Sequence, residues 1–600
     1  MQQENSSARV ILKGDYTNAF NSVHRHCILQ EVHRTAPKAY HYALQAYGQP
    51  STLFFGEYRI SSARGVQQGD PLGPLFFSLG IHNLATSLMS EMNIWYLDDV
   101  TICGNPDSVL SDLRKIMEES ESLGLHLNSS KSEIIVLGGS PEEKENIRLR
   151  FEQCAPGIRT VSAEEATLLG SPLAEEGLEP AILEKVDALK RLRDNLVHVG
   201  MHSGLFLLKN CFLLPKVLYT LRTAPTWLKT EALENFDVVQ KEVLERTLNI
   251  KLDNRAWDQA TLPVKEGGLG IRRAVDLAIP AYYSSLHSVK STADSLLPGT
   301  QELDMALGAA AVSAWAAASG ASPIPEVPAE QRAWDKPIIK QTYQSLIQGS
   351  ASVADQARLT AVRGQCAGAW LEAVPCSALG TRLEDEAVRI AISLRLGAPV
   401  CIPHTCRCSA AVKEDGLHGL DCEKSAGRGA RHGELNTIVH RSLSSIGRPS
   451  ILEPMGMTRH DGRKPDGLTL FPWRSGKPLV WDATCVSTLA ASYVQLSITG
   501  PGAAATLAEE KKKSKYSDLE SNYIFVPLGF ETMGHWGPSA VSFVSELGRL
   551  LTLSTGEPRS TSFLRQRLSI AIQRANAASV RGTVPEGTAM NELFHLPFDG

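Results

Sequence analysis

The string Ile94-Trp95-Tyr96-Leu97-Asp98-Asp99-Val100-Thr101-Ile102-Cys103 sets two acids side by side inside a run of apolar and β-forming residues. Such an interruption reads as the turn of a tight hairpin, with both carboxylates at the edge of a sheet. Held together there, the two anions repel unless a cation lies between them. A few carboxylates, with the remaining coordination left to water and phosphate oxygens, is how proteins hold Mg2+ for phosphoryl transfer. A solvated turn would carry the same two letters, so the pair takes its meaning from the rest of the chain.

Three further segments stand in a fixed order around it. Residues 10–20 form an apolar strand ending in Asp15, with the aromatic Phe20 five residues on. Residues 64–75 make a Gly/Pro loop, Arg64-Gly65-Val66-Gln67-Gln68-Gly69-Asp70-Pro71, that feeds the apolar run Leu75-Phe76-Phe77-Ser78-Leu79. After the aspartate pair comes Gly124-Leu125-His126-Leu127-Asn128-Ser129-Ser130-Lys131. Strand aspartate, Gln-Gly loop, Tyr-x-Asp-Asp hairpin and Asn-x-x-Lys, in that order, resemble the palm of a reverse transcriptase. The resemblance implies that Asp15 and Asp98, supported by Asp99, bind two Mg2+ ions. It implies that Tyr16, Phe20, Gln68 and Gly69 line the nucleotide and template, with Phe20 as the steric gate against a 2′-hydroxyl. Lys131 is the implied proton donor to the leaving pyrophosphate. Leu168-Leu169-Gly170 resembles the hairpin that grips the primer end. Gly73 stands where many relatives have serine, and Leu97 is bulkier than the alanine often found there; neither removes a metal ligand.

Six hundred residues imply several domains. No run of 18 apolar residues and no charged-then-apolar leader is visible, so an intracellular chain that does not enter a membrane is expected. Eleven cysteines, an odd number, suit a reducing compartment. The formal charge of -5 means that any basic surface for nucleic acid must be local. Residues 108–123 carry a helical apolar stripe after the start signal Asn105-Pro106-Asp107, and would pack beneath the palm sheet. The palm is expected over 1–175 and a helical thumb over 176–290. Residues 257–271, with Gly267-Gly268-Leu269-Gly270-Ile271 at their end, resemble a segment common after the thumb of retroelement polymerases; no mechanical role follows from the letters. A linker and helical connector are expected over 291–395, with the main boundary at Ser322-Pro323-Ile324-Pro325.

Cys406-Arg407-Cys408, followed by His418 and Cys422, places three thiols and an imidazole in one short stretch, enough to hold a structural Zn2+ tetrahedrally. Cys401, His404 and His432 are alternative ligands. This knuckle is expected over 396–440. Beyond it, Arg463-Lys464-Pro465-Asp466 precedes a strand carrying Asp482, and Glu509, Lys512, Lys515 and Tyr516 share one helical stripe. Pro-Asp, a strand aspartate and a helix lysine resemble the restriction-like nuclease core, implying a second Mg2+ site at Asp466 and Asp482, completed by Lys512 or Lys515. That domain is expected over 441–600, with Lys511 and Lys513 as solvated helix positions.

Palm, thumb, Cys-Cys-His-Cys knuckle and nuclease, in that order, resemble the non-LTR retrotransposon proteins that insert by target-primed reverse transcription. The implied fold is a multidomain α+β chain: a right-hand palm, a helical thumb, a zinc knuckle and an α/β PD-(D/E)xK-type nuclease. The implied partners are the element's RNA template, a DNA target and primer, and dNTPs, with the nucleus as location; the oligomeric state is not legible. Because the first palm aspartate falls at residue 15, the fingers are expected to be largely missing, as in an amino-terminally truncated copy. The alternatives are an inactive nucleic-acid-binding remnant that keeps thumb and knuckle, and a structure-selective nuclease with a vestigial palm.

Overall fold

The computed structural model describes residues 7–196, 198–296, 301–321, 324–364, 366–425, 427–457 and 464–584. Ser322 and Pro323 of the expected boundary, and Arg463 before the Pro-Asp pair, lie outside the described residues. The chain divides into two compact units, Met1–Gly177 and Leu178–Gly600.

The first unit is built on a five-stranded sheet: β1 (Arg9–Gly14), β2 (Met92–Tyr96), β3 (Asp99–Gly104), β4 (Glu133–Leu137) and β5 (Arg159–Thr160), in the order β2-β3-β1-β4-β5. All neighbours are antiparallel except β4 and β5. Alternation along β1 sends Val10 and Leu12 into the core with Val100 and Ile102 of β3. Among the helices that join this core are α1 (Gly73–Thr86) and α2 (Pro106–Ser122). The Asn105 side chain caps α2 by accepting from the Asp107 amide, and Val109, Leu113 and Ile116 form its buried stripe. At about 1.5–3 kcal/mol per buried large apolar side chain, this stripe fixes α2 against β1 and β3 and so supports the strand ends that carry the acids.

The second unit opens with helices. Among them α3 (Leu178–Leu196) and α4 (Thr230–Leu248) pack on each other through Ile182, Val186, Leu189, Phe236 and Val243. The stretch Met201–Thr223 is long and apolar enough to cross a membrane by length and composition, yet its Leu205, Leu208, Leu213, Val217 and Leu221 lie in this same core. Further along are α5 (Asp385–Leu396), α6 (Gly427–Ser445), α7 (Ala503–Lys515), α8 (Pro538–Thr555) and α9 (Ser560–Arg581). A four-stranded sheet of β6 (Ser450–Leu452), β7 (Gly467–Arg474), β8 (Lys477–Val486) and β9 (Ile524–Glu531) runs in chain order. β8 and β9 pair in parallel, with α7 in the connection between them.

The division into two units falls after Gly177, close to the expected boundary between palm and thumb, and the region 291–395 shares a core with its neighbours. Val362, Trp370 and every residue of α5 from Ala387 to Leu396 are buried, in one core with the thumb helices and the knuckle cysteines. The helix α9 serves two cores. Its Leu564, Leu568, Ala571 and Ile572 pack with the β8/β9 sheet, while its Ile570, Ala577 and Val580 join the helical core.

Candidate active sites and metal centre

In the first unit, Lys13 pairs with Thr101 and Gly14 with Val100, so one further step along these antiparallel strands sets Asp15 opposite Asp99. Tyr96 pairs with Asp99, leaving Leu97 and Asp98 as the two residues of the turn. Leu97 has φ 59°, as tight hairpin turns require at this position, and a leucine held there costs about 1–3 kcal/mol. The Asp99 carboxyl is pushed above its ordinary range by partial desolvation, then by Asp98 and Asp15, while Lys13 pulls it down. Asp15 Oδ2 is buried and accepts no hydrogen bond. Such an atom is costly to leave unsatisfied, and a cation would satisfy it.

The Asn128–Lys131 segment is tied to the strand aspartate. The Asn128 amide donates to the Asp15 carbonyl (2.7 Å), and the Asp15 amide donates to Ser132 Oγ (3.2 Å). Lys131 itself is exposed. Half-buried Phe20 stacks on Phe77 of α1, with ring centroids 4.5 Å apart. Gln68 is exposed and lines a cleft of ≈ 790 Å³ with Asn18, Asn21 and Arg64. Gly69 has φ 91° and open space where a Cβ would stand, so backbone alone faces that solvent. Asp70 pins the loop, accepting from the hydroxyls of Tyr47 and Tyr42 and from the Leu72 amide. Leu168 pairs with Ser171, and Leu169 (φ 48°) and Gly170 (φ 80°) form the turn of this small hairpin.

The Tyr16 side chain points inward. Its ring is 4% exposed and its hydroxyl lies 2.8 Å from Ser120 Oγ of α2, and burial pushes its pKa up to about 12. The side chain is a core residue because alternation sends the residue after Asp15 inward.

In the second unit, Cys406, Cys408, His418 and Cys422 have ligand atoms all within 4.8 Å of one another. A small hairpin, His404–Thr405 with Ala411–Val412, carries the first two in its loop. The short helix His418–Asp421 sets His418 and Cys422 one turn apart. Cys406 Sγ and Cys422 Sγ are 3.7 Å apart, and Cys408 Sγ lies 3.2 Å from His418 Nε2. The edges of a tetrahedron about Zn2+ are roughly 3.8 Å between sulfurs and 3.6 Å from sulfur to nitrogen, so the donor set fits such an ion. The Cys408 thiol is drawn down to about 7, chiefly by the Ala410 amide, and desolvation pushes Cys422 up to about 11. The alternative ligands are engaged elsewhere: Cys401 with the Lys413 carbonyl, His404 with Ile402 and Thr583, His432 with Asp466.

β8 delivers Asp482, 3% exposed, and the turn before β7 delivers half-buried Asp466. Asp466 Oδ2 accepts from the Ala483 amide (2.6 Å), and its Oδ1 lies 3.0 Å from His432 Nε2 of α6. Lys512 Nζ of α7 is 2.5 Å from Asp482 Oδ1. Lys515 Nζ lies 3.2 Å from Tyr516 Oη, and the Tyr516 hydroxyl hydrogen-bonds Asp482. Desolvation, then Asp466, pushes the Asp482 carboxyl up, against Lys512 and Tyr516. His432 is held above its ordinary range, first by its hydrogen bond to Asp466. Lys511 and Lys513 are exposed. Buried Glu509 instead accepts from the amides of Gly529, Ser539 and Ala540, anchoring the start of α8. Sequence reasoning missed His432 and Asn436 as parts of this cluster; their four-residue spacing on α6, with Asn436 accepting from Trp481 Nε1, was the available signal.

Residues 1–173 match the family described as reverse transcriptase (RNA-dependent DNA polymerase). The retrotransposable element SLACS 132 kDa protein of Trypanosoma brucei gambiense is 26% identical over 279 residues. That alignment takes in 44% of this chain and only 22% of the relative's own length. The match to the reverse transcriptase family thus falls within the first unit.

Proposed function

We propose that this chain is the RNA-directed DNA polymerase of a retrotransposon, coupled to a DNA-nicking endonuclease so that the nicked strand primes reverse transcription. The observation that carries the polymerase is the buried, hydrogen-bond-free Asp15 Oδ2 set across the sheet from the Asp98-Asp99 turn. Asp15, Asp98 and Asp99 would hold Mg2+, which when bound activates the primer hydroxyl and neutralises the triphosphate. The strained turn holds the acids in place, so little reorganisation is needed when charge develops. Phe20, braced by Phe77, limits room beside the sugar. Gly69 leaves backbone free to approach the template, Leu168, Leu169 and Gly170 steady the primer end, and Lys131, free in solvent, supplies a proton to the leaving group.

The nuclease reading rests on Asp466 and Asp482 as metal acids, with Lys512 at Asp482 holding the developing negative charge of the scissile phosphate. Cys406, Cys408, His418 and Cys422 would bind Zn2+ as a structural clip, whose binding energy is also folding energy. The work of such a protein lies with genomic DNA, in the nucleus.

Primer extension on an RNA template with Mg2+ tests the polymerase. Asp98→Ala, which removes a ligand at a half-buried turn and no core contact, should abolish synthesis with an unchanged circular dichroism spectrum. Extension by purified Asp98→Ala at the wild-type rate would end the assignment.

A further inference from the structure

Residues 257–271 have no part in either chemistry above, yet the second unit builds a rigid wall from them. Arg395, 3% exposed, donates to the carbonyls of Val264 (2.7 Å), Gly268 (3.1 Å) and Ala367 (3.1 Å). Buried Gln259 donates to the Gly267 carbonyl at 3.0 Å. This wall bounds a cavity of ≈ 870 Å³ that also meets Lys209, Arg272, Arg363 and Glu372. Glu266 is spent on Arg363 at 2.7 Å, and Arg272 is spent on Asp335. Lys209 and Lys265 have no ion-pair partner among the described residues. Nε of Arg272 and Nε of Arg363 are buried donors without an acceptor. Lys209 sits on a π-helical turn, Leu208–Phe212, a distortion frequent at functional sites. Burial, chiefly, lowers the pKa of its ammonium group.

Two ammonium groups without an ion-pair partner line one cavity with the Arg272 and Arg363 side chains, against the carboxylates of Glu266 and Glu372, and this net positive lining suits an oxyanion. Lysines supply point charges that do not distinguish one sugar from another, and the cavity is too large for one small anion. We propose that this cleft seats the phosphodiester backbone of a single nucleic-acid strand, with Lys209 and Lys265 each contacting a phosphate. The inference rests on the reading of the chain as a nucleic-acid enzyme and adds a strand-holding site remote in sequence from both sets of acids.

The test uses the full chain carrying Asp98→Ala and Asp482→Ala, so that binding is read without turnover. Its probes are a labelled 20-nucleotide single-stranded RNA and the DNA of the same sequence, titrated across a range of NaCl. Lys209→Ala with Lys265→Ala should weaken both probes about 5–10-fold and reduce the salt slope by about 1.4, two contacts at roughly 0.7 each. Lys265→Gln alone, at an exposed position, should give about half the change in slope and guards against misfolding of the double variant. Lys251→Ala, at an exposed lysine away from the cleft, should change neither. Unchanged affinity and slope in the double variant would overturn the proposal, as would an equal loss in Lys251→Ala. Competition by millimolar inorganic phosphate that matches the double variant's loss would instead make this a small-anion site and also overturn it. Primer extension by chain with Asp98 intact is scored separately, so failure here and failure of the polymerase reading are distinguishable.

Discussion

A methyl group added at Gly268 would stand 2.1 Å from the Leu262 carbonyl oxygen and 2.4 Å from that of Gln259. Both are backbone atoms of the same turn, so no side-chain rotation relieves the clash, and the chain must open by over an ångström. Opening it breaks the Gly268 amide bond to the Pro263 carbonyl (3.2 Å), the Leu269 amide bond to Ala260 (3.0 Å), and the Arg395 bond to Gly268. At about 1 kcal/mol for each neutral bond and about 2 kcal/mol for the charged one, Gly268→Ala should cost about 4 kcal/mol. With about 2.1 cal/mol/K of unfolding entropy per residue, a unit of residues 178–600 that melts together loses about 4–5 °C of Tm. Gly433→Ala, in α6 with nothing near the new methyl, should act in the opposite sense. It should stabilise by about 0.5–1 kcal/mol through helix propensity alone. Thermal unfolding followed by circular dichroism reads both. A Gly268→Ala protein that melts with the wild type would refute the claim that this wall is rigid.

Purified protein should carry about one zinc per chain; Cys406→Ser or chelation should release it and lower the Tm, and well-folded protein without zinc by elemental analysis would sink that centre. Asp237 is 7% exposed and burial pushes its pKa up to about 7, against hydrogen bonds from the Ala274 and Val275 amides. A raised carboxyl contributes stability that is full below its unfolded pKa near 4 and is lost as pH rises towards 7, a swing of about 4 kcal/mol. Asp237→Asn should therefore stabilise the protein at pH 8 and scarcely at pH 4; an equal Tm change at both would contradict the titration. In DNA nicking with Mg2+, Lys512→Ala should reduce the rate far more than Lys515→Ala, since Lys512 is the one within 2.5 Å of Asp482; the reverse order would reassign the lysine.

Local patterns were legible where the chain solves a local problem. The Asp98-Asp99 turn follows from its apolar flanks, α2 from the Asn105-Pro106 start, and the thiol group from the spacing of Cys406, Cys408, His418 and Cys422. Long-range packing was not. The resemblance gave Tyr16 a place at the nucleotide, and only strand alternation shows that its side chain is buried on Ser120. α5 reads as a half-polar helix, but Arg389 and Arg395 are buried because backbone carbonyls of other segments accept from them. Lys512 and Lys515 share one stripe, and only the packing of α7 against β8 sets which amine meets Asp482.

The double duty of α9 has a consequence during synthesis. The helical core spans about 400 residues of chain, from Ile182 to Val584, so it cannot close until its last residues have left the ribosome. At about 5–20 residues per second, the part of this core that α9 completes stays open for about 20–80 s after Ile182 is made. The first unit, ending at Gly177, needs no such wait. A nascent chain would thus carry a folded polymerase palm tethered to a long stretch of unsatisfied apolar surface, the stage at which it most depends on chaperones.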